Sequence, residues 1–292
     1  MPTNFELRRR MRGIIRPNLQ VLLLIALIAA LPGLIASVVT ILTGSDLMSY
    51  LLLQGIDTAS TAEQIMEIIQ SYASGRIWFA FGLTTVQALV TPVLMLGLIN
   101  AILTLLRGGA IEVRFAFSRL SAFGRSVLLM LLVTLKLLLW ALPGMAVMLL
   151  SAFLGESGVM LGFPVGSLLM LVMVMMAAYR YAMANFYLAD QPETGVLACA
   201  RQSAAIMKNR KLQLLSLDLP YLLGNYAVTS LLSMLFSGVI GTTLSMAIQL
   251  VFNVYLYGAR CSFFEAYSRP SGGPAPVPET DPYHDEMKDD LN

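Results

Sequence analysis

The chain has 292 residues, of which 57% are hydrophobic and only 12% charged, where a soluble globular domain carries roughly 25% charged residues. Such a composition excludes an ordinary water-soluble core, and a net charge of +2 gives no reason to expect a nucleic-acid partner. What can be informative is where the charges lie along the chain.

Residues 1–18 form a basic amphipathic segment carrying Arg8, Arg9, Arg10, Arg12 and Arg16. The apolar run behind it is longer than a signal-peptide core, and no small-residue cleavage site follows promptly, so it reads as a retained first helix. Apolar runs at about 19–43, 77–106, 126–152, 163–187, 213–236 and 240–263 reach the ~20 residues needed to cross a ~30 Å hydrocarbon layer. The expected fold is all-α: a polytopic membrane helix bundle of about six transmembrane helices within residues 19–264. Amphipathic interfacial helices are expected at 44–76 on the outer side and at 108–125 and 192–211 on the inner side.

Apart from Arg76, Lys136 and Arg180, every Lys and Arg falls before the first run, in 107–125, in 201–211 or after 259. Basic residues beside a span are retained in the cytoplasm, so both termini are expected there. Cys199 and Cys261, the only cysteines, then lie on the reducing side, and no disulfide is expected. Gly108 and Gly109 read as a helix end rather than a phosphate cradle. Asp190-Gln191-Pro192-Glu193 reads as the end of the fourth helix and the start of an amphipathic one. Residues 265–292, rich in Pro and Gly and then acidic, read as a disordered cytoplasmic tail.

Two inner loops share a design, with Ser118 and Ser203 each seven residues before an Arg that opens an apolar run, and Ala-Leu-Pro-Gly recurs at 30–33 and 141–144. Internal duplication would explain these echoes; so would the tendency of every such loop to collect arginine.

From Lys136 onward the residues carry a resemblance. Trp140 with Pro143 and Gly144, YRYAMANFYLADQPE at 179–193, Ala200, Ser203, IMKNRKLQLLSLDL at 206–219 and FFEAY near the end are similar to the family known as domain of unknown function nine hundred seventy-five. The likeness extends weakly back through Leu96 to Phe123. It implies a multi-pass bacterial membrane protein, mostly of Gram-positive and often gut-dwelling species, with no established activity and no catalytic residues to carry over. Pro220-Tyr221 and Gly224-Asn225 depart from the Ser-Phe-Ile-Gly-Trp-like run that the resemblance leads one to expect.

Hydrolytic chemistry needs a nucleophile with its base, paired carboxylates or a metal held at defined spacings. His284 is the only histidine and lies in the tail, so no cofactor, metal or enzymatic activity is expected. The residues that demand an account are the charges inside apolar runs: Lys136, Arg180 and Asp218. Burying each alone costs about 2.5 kcal/mol or more, so Asp218 is expected to bond Arg180 or Lys136. With Tyr179, Tyr181 and Tyr221 around it, the cluster could hold an anionic head group or solute; alternatively the cations snorkel while Asp218 pins neighbouring helices. The 18 Met residues read as filler of a lipid-embedded interface.

Three functions remain in play. The first is a non-enzymatic accessory, immunity or stress protein of the envelope that binds membrane lipids, a peptide or another membrane protein, with an oligomer possible. The second is a small-solute or lipid transporter using the charge cluster. The third, an intramembrane lipid enzyme, would have to rely on Asp218.

Overall fold

The computed structural model describes residues 3–42, 76–153, 155–236 and 238–268. Among them the chain is all-helical: α1 (Asn4–Ile15), α2 (Leu19–Leu42), α3 (Arg76–Leu106), α4 (Phe123–Phe153), α5 (Gly155–Tyr181), α6 (Ala184–Asp190), α7 (Val196–Ile206), α8 (Lys211–Leu235) and α9 (Gly238–Ser268). The outer amphipathic segment expected at 44–76 falls outside the described residues except for Arg76, as does the tail beyond Ser268. Glu265, where that tail was expected to begin, is still helical.

Among the described residues, four stretches are long and apolar enough to cross a membrane: Asn4–Val39, Phe81–Leu106, Val113–Ser151 and Met160–Asp190. α8 and α9, at 25 and 31 residues, also have the length to do so.

The long helices pack as three hairpins, α2 with α3, α4 with α5 and α8 with α9. A short segment precedes each hairpin: α1, the turns at Val113–Phe117 and Leu120–Ala122, and α7. The expected helix over 108–125 is absent, because α3 stops at Leu106 and Gly108 takes a φ of 81°. The Gly108 and Gly109 amides close the helix end on the Leu105 and Thr104 carbonyls at 3.0 and 2.9 Å, as a glycine C-cap does. The chain then lies so close over α3 that a Cβ at Gly97 would sit 2.3 Å from the Ala116 carbonyl oxygen. Backbone pressed against backbone leaves no room for an amphipathic α-helix there.

α1 begins with a capping box, the Thr3 amide donating to Glu6 at 2.8 Å and the Glu6 amide to Thr3 Oγ1 at 3.3 Å. Its apolar stripe, Leu7, Met11 and Ile15, is buried, with Met11 and Ile15 packed over Gly258 of α9. They join a core of Leu22 and Ile25 from α2, Leu96, Ile99, Ile102 and Leu103 from α3, Phe186 from α6, Leu214 and Leu217 from α8, and Phe263 and Phe264 from α9. That core lies at the end of the bundle where α1, the short turns, α6 and α7 meet, hereafter the basic end. Elsewhere α4 and α5 mate through small residues, with Gly162 against Ser151 and Gly144 against Met170. Gly162 and Gly166 are four apart on one helix face, the small-xxx-small arrangement that lets helices approach closely in lipid.

Candidate functional site

Helices α8 and α9 bring Asp218 and Arg260 together. The Asp218 side chain is fully buried, and Arg260 donates to it through Nε at 3.1 and 3.2 Å and through Nη2 at 2.8 Å. The partner is thus Arg260, not the Arg180 or Lys136 expected from the sequence. The sequence held a signal for it: Arg260 lies inside the last apolar run, eight residues before the end of α9, while Asp218 lies seven after the start of α8. In an antiparallel hairpin those offsets place the two at one level.

Pro220 breaks the hydrogen-bond ladder around Asp218, because it has no N–H to offer the Ser216 carbonyl. Arg8 of α1 supplies the missing donor, its Nη2 reaching the Ser216 oxygen at 2.7 Å and the Leu217 oxygen at 3.3 Å. Asn4 adds bonds to Ser216 Oγ at 2.6 Å and to the Gln213 oxygen at 3.2 Å. The Asp218 pair therefore shares its level with the arginine-bearing helix, in the polar layer of the basic end rather than deep in an apolar one.

The six candidate residues separate into three places. Tyr179 lies beside Asp218 and Arg260. Two positions on a helix differ by about 200°, so Tyr181 points elsewhere: its nearly buried ring carries Lys136 Nζ at 5.2 Å and Arg180 Cζ at 5.8 Å from the centroid. Tyr221 lies beside Arg12 of α1. Among the described residues neither Lys136 nor Arg180 forms an ion pair.

The basic end has further links that the sequence did not reveal as pairs. Arg107, just past α3, bridges Asp190 at 2.6 Å and Glu265 at 3.0 Å. Burial pulls the Arg107 guanidinium pKa down, but the hydrogen bonds and charges of the two carboxylates outweigh it and leave it raised. Arg125 donates to Glu193 at 2.9 Å and to the Pro192 carbonyl. Asp190 does end α6, as read from the sequence, but the next helix starts at Val196, not at Pro192. Ser203 of α7 fills the break between α5 and α6, accepting from the Met183 amide at 3.1 Å and donating to the Arg180 carbonyl at 3.0 Å. Cys199 and Cys261 are buried free thiols, and burial raises the Cys199 thiol above its usual range. Among the described residues no group of three or more His, Cys, Asp or Glu is placed to hold a metal ion.

The class this defines, among the described residues, is an all-helical bundle with four stretches able to cross a membrane and a cross-linked polar layer at one end. The family model described as Protein of unknown function (DUF975) matches residues 1–269, and the chain belongs to that family. No curated protein and no solved structure matches it.

Proposed function

We propose that this is a six-span protein of the bacterial plasma membrane, both termini cytoplasmic, that acts by binding a membrane partner or peptide rather than by catalysis. α8 and α9 complete the six spans, and α7 is the inner interfacial helix. The observation that carries the reading is the arrangement of charge. Asp218 with Arg260, and Arg107 with Asp190 and Glu265, neutralise one another within the fold. Lys136 and Arg180 instead stand within about 11 Å of one another beside one tyrosine ring, where an anionic group from outside the chain would join two cations.

The test is complementation. In a deletion strain challenged with membrane-active peptides, the Lys136→Gln/Arg180→Gln variant should accumulate in the membrane at the wild-type level yet fail to restore tolerance. Full restoration by that variant would remove the binding role from this pair. The alternative, a transporter, is favoured by one observation, the buried Asp218–Arg260 pair inside a long helix that carries Pro220, since intramembrane charges mark solute and ion pathways. It expects solute flux in reconstituted vesicles to vanish in Asp218→Asn and to persist in Lys136→Gln/Arg180→Gln.

A further inference from the structure

α1 has two faces, and the fold uses only one. Leu7, Met11 and Ile15 are buried against the bundle, and Asn4 and Arg8 are tied to α8. On the opposite face Phe5, Arg9, Arg12 and Arg16 follow one another at intervals of four, three and four residues, the spacing of a single helical stripe. Phe5 is 70% exposed. Together with Gly13 the four line a shallow cavity of about 200 Å³. A Cβ at Gly13 would meet nothing within 4 Å, so the glycine leaves its side of that hollow open. None of the three arginines forms an ion pair with an acidic side chain among the described residues.

We infer that this stripe is a docking surface for anionic phospholipid, a refinement that rests on the membrane-spanning reading above. Arg16 stands three residues before Leu19, where the apolar α2 begins, and so marks the edge of the hydrocarbon. Arg12 and Arg9 follow at about 6 and 10.5 Å along the helix axis. A headgroup layer of roughly 5–8 Å on each side of the membrane, followed by a Debye length of about 8 Å at physiological salt, covers all three. The hollow is smaller than the roughly 300–1,000 Å³ of a small-molecule pocket and suits a single phosphate held between guanidinium forks. Because the apolar face of α1 is taken up by the bundle, Arg9 and Arg16 face away from it, and Arg12, exposed at the edge of the stripe, also lies beside Tyr221 of α8.

The experiment uses the full-length protein in detergent, with its thermal unfolding midpoint followed while phosphatidylglycerol or phosphatidylcholine is titrated in. Phosphatidylglycerol should raise the midpoint and phosphatidylcholine should not. Arg9→Gln/Arg12→Gln/Arg16→Gln should keep the lipid-free midpoint and lose apparent affinity on the order of a hundred-fold, at about five-fold per arginine. The corresponding Lys triple variant should retain most of it. An unchanged phosphatidylglycerol response in the Gln triple variant, or an equal response to both lipids, would overturn the inference. So would a response that emerges only after the tail acids Glu279, Asp281, Asp285, Glu286, Asp289 and Asp290 are neutralised, since the stripe would then belong to the chain's own end. Tighter binding of a single-stranded RNA oligonucleotide than of phosphatidylglycerol would equally count against it. A protein that needs detergent yet shows no lipid preference loses only this inference, whereas one monodisperse without detergent loses the membrane reading itself.

Discussion

The basic end and the α4–α5 hairpin are held together by opposite means. Around α3, 61% of the most apolar stretch is buried, against 17% for the stretch containing α4 and 11% for that containing α5. At the basic end aromatic rings interlock, with Phe186 and Phe264 at 5.9 Å and Tyr187 edge-on to Phe264 at 4.9 Å. Side chains also bond backbone groups left open by helix breaks, as Arg8 does at Pro220 and Ser203 at Met183. Along the hairpin, Leu135, Leu138, Leu139, Leu142, Leu149 and Leu150 stand exposed, while the two helices touch through glycines. A water-soluble protein rarely leaves so continuous an apolar face uncovered. Polar cross-links that determine a unique arrangement are thus concentrated in one layer, and the exposed leucines of the hairpin belong to stretches long and apolar enough to cross a membrane.

The largest effect should come from unpairing the buried charges of the basic end. Asp218→Leu strands Arg260, and breaking such a pair costs about 3–5 kcal/mol; Asp218→Leu with Arg260→Met should cost less than the single change. Unfolding midpoints of the three proteins in one detergent check the order, and a double variant worse than Asp218→Leu would show that the pair does more than neutralise itself.

The hairpin offers the sharper test of the contrast. Leu138→Arg, near the centre of α4, should reduce membrane insertion by about 2.5–3.5 kcal/mol, whereas the same change on a water-facing surface stays within about 0.5 kcal/mol. Measuring the inserted fraction decides between them, and an unaffected variant would mean that this face meets water.

A smaller loss is expected from Gly97→Ala, whose new methyl meets the Ala116 carbonyl backbone and should cost about 1–3 kcal/mol. Arg107→Gln comes last. Its side chain is 31% exposed, so losing contact with Asp190 and Glu265 should cost only about 1 kcal/mol. Both follow from thermal unfolding, and an Arg107 effect larger than that of Asp218→Leu would invert the proposed ranking.

Much of this was legible in the chain of residues. Apolar run length announces helices able to span a bilayer whatever they pack against, because each satisfies its own backbone hydrogen bonds. Gly108-Gly109 announces a helix end because only glycine enters the left-handed region without cost. Family membership, too, could be read from the motifs between Tyr179 and Leu219. Which charge meets which could not. The unpaired cost of Asp218 announces that a partner exists, but Arg180 and Lys136 were the partners expected, and only the register of α8 against α9 selected Arg260.

The scattering of Tyr179, Tyr181 and Tyr221 has the same origin: proximity in sequence does not fix the face of a helix that a neighbour will cover. The turn over Gly97 shows the limit from the other side. Arg114, Arg119 and the apolar residues among them promised an amphipathic helix by local pattern, yet the close approach of backbone to α3 decided otherwise. Composition and run length act on each segment by itself and so survive without the fold. Pairing, burial and the unused face of α1 depend on what lies opposite, and that exists only once the hairpins have come together.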